Sequence, residues 1–111
     1  MNTKKIIYLD NNATTKIDPS VVDAMMPFFG EYYFNASSLY GEAKTTRYAI
    51  DKARKEIADF IGAKLDSEII FTGCATESNN MALRGVLTAN RERKHIITTA
   101  VEHPSVYELC K

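Results

Sequence analysis

The stretch from Ile69 to His103 permits few folds. Ile69-Ile70-Phe71-Thr72 is an apolar, β-branched run that meets Gly73-Cys74-Ala75-Thr76 and then a helical pattern; one crossover later, Ile96-Ile97-Thr98-Thr99 meets Glu102-His103-Pro104. A strand from about residue 68 to 72, a helix from about 76 to 91 and a strand around 95 to 99 make an α/β arrangement, a βαβ unit of the usual size with a right-handed crossover. Parallel strands send both loops to the same sheet edge, which is where open α/β folds bind ligands. An anion cradle and a histidine then share one pocket.

Upstream, Ile6-Ile7-Tyr8-Leu9 reads as a short strand that stops at the turn-forming cluster Asp10-Asn11-Asn12. Asp18-Pro19 has the form of an N-cap followed by proline at the first helical position, and Val22, Met25, Met26 and Phe29 follow at helical spacing. Pro27 strains the second half of this helix and Gly30 ends it. Residues 31 to 40 have no period and read as a loop. The next helix carries Ile50, Ala53, Ile57 and Ile61 on one face, pairs Asp51 with Lys55 at i,i+4, and has Gly62 as its natural C′ residue. A last helix opens near Pro104, where Ser105 and Glu108 are spaced as a capping box, and the sequence stops at Lys111 without a C-cap. A parallel sheet needs cover on both faces and more strands than these. The expectation is therefore the opening section of something larger, with residues 1–66 as an N-terminal segment with helices and residues 67–111 as the start of a ligand-binding α/β domain.

Composition narrows the class of partner. With 45% hydrophobic and 25% charged residues the chain is ordinary globular material, and at 111 residues it is of single-domain size. Fourteen basic residues balance fourteen acidic ones and are scattered, so nucleic acid and anionic membrane surfaces are not expected partners. Lys4 and Lys5 precede only a four-residue apolar run, far short of a signal core or a membrane span, which makes the cytoplasm the default location. Cys74 and Cys110 have no CxxC spacing, and reduced thiols are expected. No cluster has metal-ligand spacing, so no metal is assigned.

The two loops carry the chemistry. A helix that starts straight after a strand aims unpaired N–H groups and the positive end of its dipole at the loop, where a phosphate or carboxylate is stabilised. Gly73 and Ala75 let an anion approach the backbone, and the Thr76 hydroxyl adds a donor. The same residues also suit a plain helix cap. His103 can stack on a planar ligand or move protons near neutral pH, or it can simply fill a helical turn ahead of Pro104. Cys74 sits inside the anion loop with no base evident beside it, and a packing role suits it better than nucleophilic catalysis. Asp10 to Thr15 and Asn35 to Ser38 are polar clusters on loops, where function concentrates, although turn chemistry explains most Asn and Ser in such places and is the leading reading at each.

Taken together, Tyr8-Leu-Asp-Asn-Asn-Ala-Thr-Thr15, Asn35-Ala-Ser-Ser38, Ile70-Phe-Thr-Gly-Cys-Ala-Thr-Glu-Ser-Asn-Asn80 and Val101-Glu-His-Pro104 resemble, in order and spacing, the N-terminal motifs of cysteine desulfurases of the NifS/IscS type. These are class V aminotransferases, within the fold-type I pyridoxal-phosphate (PLP) enzymes. The resemblance covers essentially the whole chain, and the Asn-x-Ser-Ser segment favours this branch over SufS-like enzymes and selenocysteine lyases. It implies that residues 67–111 begin the PLP-binding large domain, that Ala75 and Thr76 hold the PLP phosphate, and that His103 stacks on the pyridine ring and is a candidate for proton transfer. It also implies a reaction that takes sulfur from L-cysteine, leaving L-alanine and an enzyme persulfide for iron–sulfur cluster assembly or other acceptors. Expected partners are L-cysteine, PLP, a second copy in a homodimer of the complete protein, and a sulfur acceptor or scaffold protein.

The sequence departs from the family in places. Gly73-Cys74 stands where Ser-Gly or Gly-Gly is usual, which puts a side chain in the phosphate loop; Ala36 replaces proline and Tyr40 a common histidine. No lysine here matches the one that holds the cofactor covalently, and neither Cys74 nor Cys110 matches the persulfide-forming cysteine. The chain alone is expected to be inactive. The alternatives are a non-catalytic truncated or split-protein module, and a phosphate- or nucleotide-binding βαβ module.

Overall fold

The computed structural model describes residues 6–93 and 95–111, in two compact units that meet in sequence between Gly62 and Ala63. Lys4 and Lys5 lie outside the described residues.

The first unit holds three helices: α1 (Pro19–Met25), α2 (Pro27–Gly30) and α3 (Ala43–Ile61). Asp18 caps α1 as the sequence suggests. Its carboxylate accepts from the Ser20 hydroxyl at 2.6 Å and the Ser20 backbone N–H at 2.8 Å, and these two bonds hold its pKa below the ordinary carboxylate value. Pro27 has no N–H to continue the ladder, so the run divides into α1 and α2 although Met26 keeps helical dihedrals. Residues 31–42 then run as a loop whose Asn35 side chain accepts from Ser37 N–H at 2.9 Å. Two bonds tie that loop to α3, from Thr46 Oγ1 to Tyr32 O (2.9 Å) and from Arg47 Nε to Ala36 O (2.7 Å).

Gly62 ends α3 in the left-handed region at φ 73°, and its N–H reaches the carbonyls of Ala58 and Asp59. A Cβ there meets nothing within 4 Å, so the cost of Gly62→Ala is conformational alone. We expect it to destabilise the protein by about 1 kcal/mol, seen as a lower urea midpoint at unchanged slope. An equal midpoint would show that α3 does not need this terminus.

The ion pairs on α3 differ from expectation. Lys55 bonds Asp59 at 3.0 Å, not Asp51, and Lys52 pairs with Glu56 at 3.7 Å. Exposed pairs of this kind contribute a few tenths of a kcal/mol each, so either acidic neighbour of Lys55 satisfies it. The predicted apolar face is poorly covered: Ala53 is half-buried while Ile50, Ile57 and Ile61 remain exposed, and the residues that α3 does bury are Ala43 and Ala58.

The second unit opens with a single 3₁₀ turn, Asp66–Glu68, continues through residues 69–72 into α4 (Ala75–Ala89), and ends with α5 (Pro104–Tyr107), which packs on α4. Helix α4 starts one residue earlier and stops two earlier than its spacing suggests, because Asn90 turns back and gives both its N–H and its side-chain amide to Val86 O. The three expected strands do not form: among the described residues, 6–9, 69–72 and 95–99 are not in a ladder. Ile69 has extended dihedrals (φ −90°, ψ 119°), yet an extended segment becomes a strand only where a neighbour takes its N–H and C=O groups. The side chains agree, with Ile70 62% and Ile97 99% exposed. Residues 68–72 instead flank α4 across an open groove of about 510 Å³ lined by Ile70, Met81 and Val86.

The Ser105–Glu108 capping box is also absent. His103 is the N-cap of α5 and its ring accepts from the Ser105 N–H, while Glu108 pairs with Lys111 at 2.8 Å. An imidazole nitrogen two residues before Ser105 reaches that orphan N–H and leaves the box nothing to do.

Candidate functional site

The anion loop is built by backbone geometry before any ligand is considered. Cys74, at the N-cap, is fully extended (φ −165°, ψ 166°) and its side chain makes no capping bond; the first helical bond runs from Ser78 N–H to the Cys74 carbonyl at 3.1 Å. The N–H groups of Ala75 and Thr76 therefore precede the helical ladder and face the loop end of a fifteen-residue helix. Thr72 braces the turn, sharing a 2.6 Å bond with Ser78 Oγ and donating to Cys74 O at 3.2 Å. Gly73 gives its N–H to Glu77 Oε2 at 2.7 Å. Cys74 is an exposed free thiol, so the side chain that departs from the family pattern stands clear of these bonds.

The second loop presents the histidine. Thr99 Oγ1 donates to Glu102 Oε1 at 2.9 Å, which turns the chain into His103. The His103 ring is exposed, and its Nδ1 lies 3.1 Å from Ser105 N and 2.9 Å from Ser105 Oγ. Ser105 in turn accepts from Asn79 Nδ2 at 2.8 Å, a half-buried bond that joins α4 to α5.

A cavity of about 270 Å³ lies between these helices, bordered by Thr76, Asn80 and Arg84 of α4 and by Pro104, Ser105 and Glu108 at α5. It brings Thr76 together with the residues that follow His103. Ala75 and His103 do not border it; each is the sequence neighbour of a residue that does. Asn80 donates its side-chain amide to Thr76 O at 3.0 Å, one turn further along α4.

The donor set fits a phosphate: unladdered N–H groups at a long helix start, an exposed hydroxyl at Thr76, and Arg84 on the same cavity. Two carboxylates oppose an anion: Glu77, in the same helical turn and occupied by Gly73 N–H, and Glu108, on the same cavity and paired with Lys111. The exposed imidazole of His103 fits a planar ring. Glu77, Asn79 and the Ser105 contact to His103 were not singled out from sequence. Glu77 stands at N3, where a capping-box partner belongs, but an N-cap cysteine hides that signature.

Residues 7–111 match the family model described as Aminotransferase class-V. The chain is 51% identical over 106 residues to a protein named cysteine desulfurase from Nostoc sp. (strain PCC 7120 / SAG 25.82 / UTEX 2576), an alignment covering 96% of this chain and 26% of that protein. It is 50% identical over 104 residues to one named cysteine desulfurase NifS from Azotobacter vinelandii, covering 94% of this chain and 26% of the relative. A solved structure titled NifS-like protein superposes with a TM-score of 0.81 at 42% identity, over 93% of this chain and 28% of that one. The chain thus spans about a quarter of the length of the curated relatives it matches. No helix among the described residues is long and apolar enough to cross a membrane. With the family model matched from residue 7 to the last residue, and a structural relative sharing its backbone course, the chain belongs to the class-V aminotransferase family.

Proposed function

We propose that this chain supplies part of the PLP site of a cysteine desulfurase, the activity after which its relatives are named. The observation that carries the reading is the cavity between α4 and α5, which joins Thr76 to the turn that presents His103. Ala75 and Thr76 N–H groups and the Thr76 hydroxyl hold the phosphate, with the α4 dipole behind them. His103 lies against the pyridine ring and serves proton transfer at its free ring nitrogen. PLP, when bound, supplies the electron sink that lets L-cysteine give up its sulfur.

In this reading the cysteine sulfur passes to a thiol that is neither Cys74 nor Cys110, and the covalent hold on the cofactor falls to a lysine outside residues 1–111. L-alanine is released and the persulfide goes to an iron–sulfur scaffold or another acceptor. The complete protein works as a homodimer in the cytoplasm. Residues 69–72 and 95–99 become parallel strands of the large domain once neighbouring strands take their backbone groups.

The test supplies L-cysteine and PLP to the complete protein and follows alanine, sulfide and the visible absorbance of bound cofactor. Equimolar alanine and sulfur with a cofactor band are expected, while the 111-residue chain alone gives neither product. Absence of both products and band from the complete protein would overturn the reading, and turnover by the short chain would overturn its inactivity.

A further inference from the structure

A backbone N–H can only donate, and that settles the state of one ring nitrogen. Ser105 N–H points at His103 Nδ1 from 3.1 Å, so Nδ1 carries a lone pair and no proton. Neutral His103 therefore holds its proton on Nε2. The Ser105 hydroxyl lies 2.9 Å from the same Nδ1, which without a proton can only accept from it and shares its lone pair between the hydroxyl and the N–H; Asn79 Nδ2 donates to Ser105 Oγ at 2.8 Å and so makes no claim on the hydroxyl hydrogen.

We propose that Ser105 and Asn79 are positioning residues that lock His103 as the Nε2–H tautomer, so that it enters the cofactor site as a hydrogen-bond donor toward an anionic acceptor. The role of His103 itself rests on the function proposed above; the relay that orients it does not. Two features favour the relay over an ordinary cap. It spans 26 residues of sequence and joins the helix that begins at the anion loop to the turn that presents the imidazole. Its Asn79–Ser105 bond is half-buried in a chain whose other side-chain bonds in these two loops are exposed, so water competes for it least. The helix that begins at the phosphate end and the turn at the ring end are in this way tied by one hydrogen-bonded chain.

The experiment uses the complete protein labelled with ¹⁵N-histidine and free of cofactor, at a pH where imidazole is neutral, with the His103 signals assigned by their loss in His103→Ala. Long-range proton–nitrogen spectra should show an unprotonated Nδ1 and a protonated Nε2. Ser105→Ala keeps the backbone donor but loses the hydroxyl, so both nitrogens should move only part of the way toward averaged shifts, the remaining N–H bond still favouring an unprotonated Nδ1; Ser105→Thr should restore them. Asn79→Asp, whose carboxylate can only accept, should draw the hydroxyl hydrogen away from Nδ1 and shift the signals in the same direction as Ser105→Ala. With PLP and L-cysteine, kcat of Ser105→Ala should fall about three- to tenfold, the worth of one hydrogen bond. Its KM should change by less than about twofold, since ground-state binding is untouched.

Tautomer signals indifferent to both Ser105→Ala and Asn79→Asp would overturn the relay, even with PLP bound and turnover normal. Signals that respond while no PLP band forms would uphold the relay and overturn the cofactor reading instead.

Discussion

On the function proposed above, replacing His103 with alanine should slow L-cysteine turnover by the complete protein about a hundredfold, at the lower end of what a positioned proton-transfer group supplies. That corresponds to about 2.7 kcal/mol of transition-state stabilisation. The argument rests on what the substitution removes. His103 presents an exposed ring whose Nδ1 is already engaged by Ser105, so a single nitrogen is left to act on a ligand, and alanine deletes both that nitrogen and the ring face. The fold should hardly notice. The ring is exposed, and the one orphan N–H it caps, that of Ser105, becomes free to bond water. A loss of rate with an only slightly lowered melting temperature, together with a shifted absorbance band of bound PLP, is therefore the expected pattern. His103→Gln gives a second comparison, because it restores a hydrogen-bonding side chain but no aromatic face: a band that stays shifted in Gln assigns the spectral change to stacking. Unaltered rate and spectrum in His103→Ala would remove His103 from the site.

The elements that were legible in the sequence are those whose cause is local. Asp18-Pro19 caps α1 because a carboxylate two residues before Ser20 reaches both of its donors, and Gly62 ends α3 because only glycine takes φ 73° without strain. Both are decided within one turn of chain. The strands are absent among the described residues for the opposite reason. Ile69-Ile70-Phe71-Thr72 and Ile96-Ile97-Thr98-Thr99 have strand composition, but composition states a preference for a pleated, half-buried surface and cannot provide the neighbour that makes one. With Ile97 almost wholly in solvent, the second segment has no surface to lie on. The site divides along the same line. The helix start behind Gly73-Cys74-Ala75-Thr76 was readable, since glycine, small residues and threonine there act through their own backbone. The Asn79–Ser105–His103 chain was not, because Ser105 with Glu108 satisfied a capping-box pattern and nothing in the sequence says that an imidazole will take that N–H first.

Thr76→Ala should weaken PLP binding to the complete protein about ten- to a hundredfold, because a hydroxyl bonded to a phosphate oxygen contributes about 1.5–3 kcal/mol. The backbone N–H groups of Ala75 and Thr76 persist in the variant, so binding is reduced and not abolished. Thr76 is exposed and among the described residues its hydroxyl makes no bond that holds α4 together, while the loop is braced by Thr72 with Ser78 and by Gly73 with Glu77. The loop should therefore keep its shape when the hydroxyl goes. Electrostatics adds a sharper control. Glu77 sets a carboxylate in the first turn and Glu108 another on the cavity, both opposing a phosphate dianion, and the α4 dipole with Arg84 must outweigh them for the site to hold an anion. Pyridoxal lacking its phosphate should consequently bind wild type and Thr76→Ala equally, and Thr76→Ser should recover PLP affinity. Equal weakening for pyridoxal and PLP would mean that Thr76 shapes the loop and does not touch the phosphate. A nucleotide that binds more tightly than PLP and loses affinity on Thr76→Ala would instead make this loop a general phosphate site, and the functional conclusion would then pass from the ring of the cofactor to its anion alone.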